Sequence, residues 1–134
     1  MDFSSFIKPG IETQKAGVVT DKNTACACGS GGIAVYATPA MIALMEGAAF
    51  SLVQPILPAG WSTVGTELDV KHVSATPLGM KVYARAELLN IDGRTLSFKV
   101  EAFDEAGKIG EGTHSRFIIE VEKFLAKLEG KRCK

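Results

Sequence analysis

From Asn23 to Thr66 the chain carries a single charged side chain, Glu46. It sits inside "ATPAMIALMEGAAF", part of a run from Pro39 to about Leu57 that is apolar on nearly every helical side. Ala, Met and Leu favour helix, Thr38 suits an N-cap and Pro39 a first helical position, and Pro55 with "LPAGW" ends the run. A helix without a polar face has to be covered over most of its circumference. That requirement limits the folds open to the chain more than any other feature. It also isolates the carboxylate, because Ile42, Ala43, Met45, Ala49 and Phe50 surround Glu46 on the helix. A carboxylate withdrawn from water without partners is costly, so one retained here is paired, protonated or used.

Strands beyond Trp61 supply the cover. There the period changes to two, with Val64, Thr66, Leu68, Val70 and His72 on one face of a strand. "TPLG" turns the chain, and the next strand places Val82, Ala84, Ala86 and Leu88 inward. "DG" at 92 and 93 signals a hairpin into a strand with Leu96, Phe98, Val100 and Ala102 inward. "DEAGK" turns again into "IGEGTHSRFIIEVEKF", a last strand leading to a short C-terminal helix. With a first strand in "KAGVVTDKNTA", the order reads strand, buried helix, then four antiparallel strands in a meander. The fold expected is α+β, a curved antiparallel β-sheet wrapped around a long central α-helix, the arrangement called hot-dog. At 134 residues the chain makes one such domain, 1–134. One sheet face cannot cover every side of the helix, so a homodimer is expected to bury the rest, with pairing into tetramers left open.

Fifteen Lys and Arg balance fifteen Asp and Glu, so no overall field draws the protein to nucleic acid or to an anionic membrane. "MDFSSFIKPG" lacks the basic start and apolar run of a signal peptide, and Glu46, Gln54 and Pro55 interrupt residues 40–57 as a membrane span. The expectation is a cytoplasmic protein. Three cysteines argue against a disulfide framework, and Cys26 and Cys28 in "ACACGSGG" lack the further ligands of a zinc site. They read as free thiols in a Gly/Ala-rich loop or irregular strand, and "KLEGKRCK" reads as a solvated basic tail. The "GSGG" run lacks the Lys and the strand-turn-helix setting of a phosphate loop.

Strand parity separates the two histidines. His72 shares a face with Leu68 and Val70 and points toward the helix, where Glu46 is a candidate partner. His114 shares parity with Glu120 and Glu122 and is expected to lean outward, as is Arg116. The Thr38 hydroxyl stands at a helix N-terminus, beside unpaired N–H groups that can polarise a carbonyl. Thr38 and Glu46 lie about 12 Å apart along an ideal helix, so they meet only if a second subunit brings its own helix alongside.

The runs "ATPAMIALMEGAA", "VGTELDVKHVSATPLGM" and "EGTHSRFIIEVEKF" resemble the hot-dog thioesterases of the fluoroacetyl-CoA thioesterase-like family, over about residues 12–127. The resemblance implies a catalytic set of Thr38, Glu46 and His72, substrate contacts at Gly65 and Arg116, and hydrolysis of an acyl-CoA to a carboxylic acid and free CoA without metal or redox cofactor. The family's fluoroacetyl-specific enzyme carries bulky aromatics before the Thr, where this chain has Gly29 and Gly32. Preference for a fluorinated acyl group is therefore not carried over. Two rivals share the residues: a hot-dog hydratase or dehydratase acting on enoyl thioesters, and a non-catalytic acyl-CoA-binding module. Whether Glu46 serves as general base or as nucleophile stays open at this level.

Overall fold

Helix α2 (Thr38–Val53) forms the centre of the computed structural model, which describes residues 1–132. It stops short of the expected Leu57: Pro55 cannot donate to the helical ladder, and residues Gln54–Ile56 tighten into a 3₁₀ turn. Its start also differs from expectation. Ala37 is the N-cap, with no side-chain cap, and Thr38 and Pro39 are the first helical residues. Ala37 and Tyr36 are pinned from outside the helix: the Ala37 N–H donates to the Asn23 carbonyl (2.9 Å) and the Tyr36 N–H to the Thr76 carbonyl (2.9 Å). The helix start is thus fixed by its neighbours, and the Thr38 hydroxyl is released from capping.

Five antiparallel strands enclose this helix on one side: β1 (Glu12–Val18), β2 (Trp61–His72), β3 (Lys81–Asp92), β4 (Thr95–Asp104) and β5 (Lys108–Glu120). Met41, Met45, Ala48, Ala49 and Val53 are buried in one core with Ala84, Ala86, Leu88, Leu96, Phe98, Val100, Ala102 and Ile118. By length and hydropathy the stretch Thr38–Ile56 would pass for a membrane span; here its buried side is the core of a sheet-wrapped domain. The hairpin at Asp92 is a two-residue turn with positive φ only at Gly93, the first central position, as a type II′ connection requires.

The strands do not run as a four-membered meander. Their order is β1-β3-β4-β5-β2, so β2 pairs with β5 at the far edge and only β3, β4 and β5 are consecutive neighbours. The link 73–80 is too long for a tight hairpin and returns across the sheet. It is anchored by the Thr76 hydroxyl donating to Asp104 Oδ2 (2.8 Å) and by the Val73 N–H donating to the Ile109 carbonyl (2.7 Å). Turn residues mark where a strand ends; they do not say which strand it lies beside.

A bulge in β2 is the second departure. Gly65 pairs with Arg116 and Glu67 with Ser115, which leaves Thr66 as the extra residue. Residues paired across an antiparallel ladder share a face. Thr63 and Gly65 therefore face inward with Ile118 and Arg116, and beyond the bulge Leu68, Val70 and His72 take over that face. Val64, expected beside Leu68, stands opposite Phe117 on the outer face.

Two shorter α-helices accompany the central one. Residues Ala25–Cys28, expected as loop or irregular strand, form one helical turn, α1, capped by the Thr24 hydroxyl and closed by Gly29 at φ 69°. Cys26 and Cys28 are exposed free thiols, and Cys133 lies outside the described residues. Helix α3 (Val121–Arg132) carries most of the basic tail as exposed helix. Between it and the outer sheet face lies an open groove of about 810 Å³, lined by Val64, Phe117, Ile119, Phe124 and Leu128. That groove is on the sheet face opposite to Glu46, Gly65 and Arg116.

Candidate active site

The candidate residues fall into two clusters on the inner face. The first is at the N-terminus of α2, where Thr38 Oγ1 lies 2.6 Å from His72 Nδ1 at the end of β2. At this end the amides of Thr38 and Ala40 have no intrahelical acceptor, and Pro39 has no N–H to offer. His72 Nε2 is buried and has no hydrogen-bond partner among the described residues. Burial lowers the imidazole pKa, opposed by a backbone hydrogen bond at Ser74, so His72 is held neutral near pH 7. A neutral imidazole fixed to a hydroxyl, with amides aimed the same way, is suited to stabilising charge on a carbonyl oxygen.

The second cluster gathers around Glu46, two turns further along α2. Arg116 is 7% exposed, and each nitrogen of its guanidinium has a hydrogen-bond partner. Nε donates to Thr63 Oγ1 (2.8 Å), Nη2 to the Thr63 carbonyl (2.9 Å) and Nη1 to His114 Nε2 (3.3 Å). The same Nη1 stands 3.9 Å from Glu46 Oε2. Burial pushes the guanidinium pKa down and the Glu46 charge opposes it. Gly65 supplies the space: a Cβ there would stand 2.9 Å from Glu46 Oε2, 3.3 Å from His114 Cε1 and 3.4 Å from Arg116 Nη1. Gly65 lacks a positive φ, so the glycine is demanded by its neighbours rather than by its backbone.

Two side chains of the site face the opposite way from expectation. Arg116 and His114 were expected to lean outward; both are buried on the inner face, His114 at 1% exposure. "RFIIE" is apolar on both faces because α3 and the groove beneath it partly cover Phe117 and Ile119, so the outward parity drawn from Glu120 and Glu122 misleads. Glu46 was paired with His72. The structure gives His72 to Thr38 and gives Glu46 to Arg116. His114 was thereby missed as a member of the site. The signal that finds it is its i, i+2 spacing to Arg116, which puts both on one strand face. Among the described residues no group of three or more His, Cys, Asp or Glu side chains is placed to hold a metal ion.

Comparison with known proteins identifies the family and the fold. Residues 19–122 match the family model described as FlK, fluoroacetyl-CoA-specific thioesterase. The chain is 44% identical over 97 residues to the fluoroacetyl-CoA thioesterase of Streptantibioticus cattleyicolor, a match covering 72% of this chain and 70% of that protein. A solved structure of the fluoroacetyl-CoA thioesterase FlK superposes with a TM-score of 0.88 at 36% identity, covering 93% of this chain and 97% of the other. A hot-dog-like protein from Thermanaerovibrio acidaminovorans gives the same TM-score of 0.88 at 19% identity, covering 98% of this chain and 97% of that one, and so shares the fold. An α+β hot-dog domain with these two clusters, matched in sequence over most of its length, belongs to the fluoroacetyl-CoA-specific thioesterase family.

Proposed function

We propose that this chain hydrolyses an acyl-CoA thioester to a carboxylic acid and free CoA. The observation that carries the reading is the 2.6 Å contact between Thr38 Oγ1 and His72 Nδ1 at a helix N-terminus whose cap is Ala37, which leaves the hydroxyl free for chemistry. In this reading His72 Nδ1–H donates to Thr38 Oγ1, and the Thr38 proton and the free amides point at the acyl oxygen. Glu46 takes a proton from water as the water oxygen adds to the acyl carbon. The tetrahedral oxyanion is stabilised at the Thr38 end of the helix. When the carbonyl re-forms, the C–S bond breaks and Glu46 returns its proton to the departing thiolate, so acid and thiol leave with the enzyme regenerated.

Eight residues at about 1.5 Å each separate Thr38 from Glu46 by roughly 12 Å along α2, too far for one acyl carbon to serve both. We therefore propose a homodimer in which Thr38 and His72 of one subunit complete a site with Glu46 of the other. Pro39, Ala43 and Phe50 leave an exposed apolar stripe on α2 beside Glu46, and β2 is a twelve-residue edge strand with unpaired backbone groups. A second copy would cover both. The exposed free thiols Cys26 and Cys28 suit a reducing, cytoplasmic setting.

A panel of acyl-CoAs, including acetyl- and fluoroacetyl-CoA, with a free-thiol assay tests the function. Thiol release that collapses in Glu46→Gln and in His72→Ala supports it. Loss of an enoyl chromophore without thiol release would mark a hydratase, and tight CoA binding without either would mark a binding module. Mixing Thr38→Ala with Glu46→Gln protein tests the shared site: heterodimers regain part of the activity, whereas no recovery means that each site is built within one subunit.

A further inference from the structure

His114 takes no part in the chemistry just described, yet it is one of the most completely buried polar side chains in the domain. Its two ring nitrogens have unambiguous partners. Nδ1 lies 2.8 Å from the Glu67 carbonyl oxygen, which can only accept. Nε2 lies 3.3 Å from Arg116 Nη1, which can only donate. The proton must therefore sit on Nδ1, and Nε2 must offer its lone pair to the guanidinium. A protonated imidazole would set an N–H of its own against the Arg116 N–H. Burial lowers the His114 pKa, and the Arg116 charge acts in the same direction, against the Glu67 hydrogen bond and the Glu46 charge.

The geometry points to His114 as a positioning residue: a neutral, Nδ1-protonated imidazole that fixes the Arg116 guanidinium and, through it, the Glu46 carboxylate. The clamp has three anchors. Thr63 on β2 takes Nε and Nη2, His114 on β5 takes one hydrogen of Nη1, and the remaining Nη1 hydrogen is left for Glu46. The β2 bulge makes the third anchor possible. Leaving Thr66 unpaired lets the Glu67 carbonyl, adjoining the His114 pair, turn to the imidazole, while the Thr66 hydroxyl takes the Ser115 carbonyl (3.1 Å). The Phe98 ring packs against His114 in a T-shaped arrangement, with centroids 6.1 Å apart. Without His114, Arg116 keeps both Thr63 bonds, so the buried charge stays in place but its Nη1 end is free to swing from the carboxylate.

This inference rests on Glu46 acting in thioester hydrolysis, and the tests separate the two ideas. In the first, His114→Gln, His114→Asn and His114→Leu are compared in kcat and KM by thiol release, at a temperature where circular dichroism shows each variant folded. Gln places a carbonyl oxygen near the Nε2 position; Asn places its amide near Nδ1 and offers Arg116 nothing. Leu and Asn should lower kcat about tenfold or more, the scale of a lost hydrogen bond to a charged group, with KM within about twofold, and Gln should recover most of the loss. Equal losses in Gln, Asn and Leu, or losses confined to KM, would overturn the assignment. The same His114→Leu change in an Arg116→Gln background should have little further effect; an undiminished loss there would also overturn it. The second test needs no activity. The chain has only two histidines, so ¹⁵N spectra of the native protein and of His72→Ala identify the His114 ring directly. A neutral ring protonated at Nδ1 between about pH 6 and 8 is the expected signature, and an Nε2–H tautomer or an imidazolium refutes the clamp. If no acyl-CoA is hydrolysed, the thioesterase reading fails while this spectrum still decides the state of His114.

Discussion

Replacing Gly65 with Ala adds one methyl group at the point where Glu46, His114 and Arg116 converge. The new Cβ would lie 2.9 Å from Glu46 Oε2, against an ordinary contact of 3.4 Å or more. The carboxylate must therefore retreat by about 0.5 Å or rotate away. It is the far end of a flexible, partly exposed side chain, so the retreat itself costs little. Gly65 has no positive φ, and Ala there also removes freedom from the unfolded chain, an effect of about 0.4–1 kcal/mol in favour of folding. Stability should change by less than about 1 kcal/mol in either direction. Catalysis should not be spared, because misplacing a reacting group by up to about 1 Å can cost as much as 100-fold; a fall in kcat of about 10- to 100-fold is expected. Gly112→Ala is the control: its Cβ would stand 2.1 Å from the Asp69 carbonyl oxygen and 2.7 Å from Val70 Cα, both backbone atoms of the paired strand. That clash has no flexible escape and should destabilise by about 3 kcal/mol, lowering Tm by about 10 °C. Thermal melts and thiol-release kinetics on both variants read the contrast. Gly65→Ala with wild-type kcat, or with a Tm loss as large as that of Gly112→Ala, refutes the view that Gly65 makes room for the carboxylate.

Thr38→Val should leave Tm within a few degrees, because Ala37 and not Thr38 caps α2, while thiol release falls at least about tenfold; Thr38→Ser should keep most of the activity. Both histidines have folded pKa values pushed below the unfolded value of about 6.5, so the unfolded chain binds more protons below that pH. Their contribution is constant above about pH 7 and erodes as the pH falls from about 6.5 toward the folded values, so Tm should drop between about pH 7 and 5; His114→Gln should flatten part of that slope, and an unchanged slope would contradict the sign. Phe50→Glu puts a charge on the exposed stripe of α2 beside Glu46. Light scattering should show the proposed dimer weakened or lost, and a fully dimeric variant would move the interface elsewhere.

Much of this fold was legible in the residues. The period-two alternation named the inward faces of β3 and β4 because each strand has one apolar face, and all of Val82, Ala84, Ala86, Leu88, Leu96, Phe98, Val100 and Ala102 are buried. The lone carboxylate marked the helix position that faces Arg116 and Gly65, since an unbroken apolar run gives a single charge no other context. Legibility ended where one face ceased to differ from the other. On β5, Phe117 and Ile119 are as apolar as the inward Ile118, and the alternation that would have turned His114 and Arg116 inward is lost.

The sequence by itself determined the long helix, the five strands and the class of the fold, because helix and strand periodicity and turn chemistry are local properties of the chain. Tertiary structure decided three things. The placement of β2 beside β5 depends on a link crossing the sheet, and local turn residues cannot express the neighbour it finds. The facing of Gly65 and His72 on one side depends on a single unpaired residue, Thr66, which inverts the parity of everything after it. The freedom of the Thr38 hydroxyl depends on hydrogen bonds that Ala37 and Tyr36 donate to the carbonyls of Asn23 and Thr76, both distant in sequence, which set the helix start one residue earlier. Each is a non-local pairing, and for that reason none is written in the stretch of sequence that it governs.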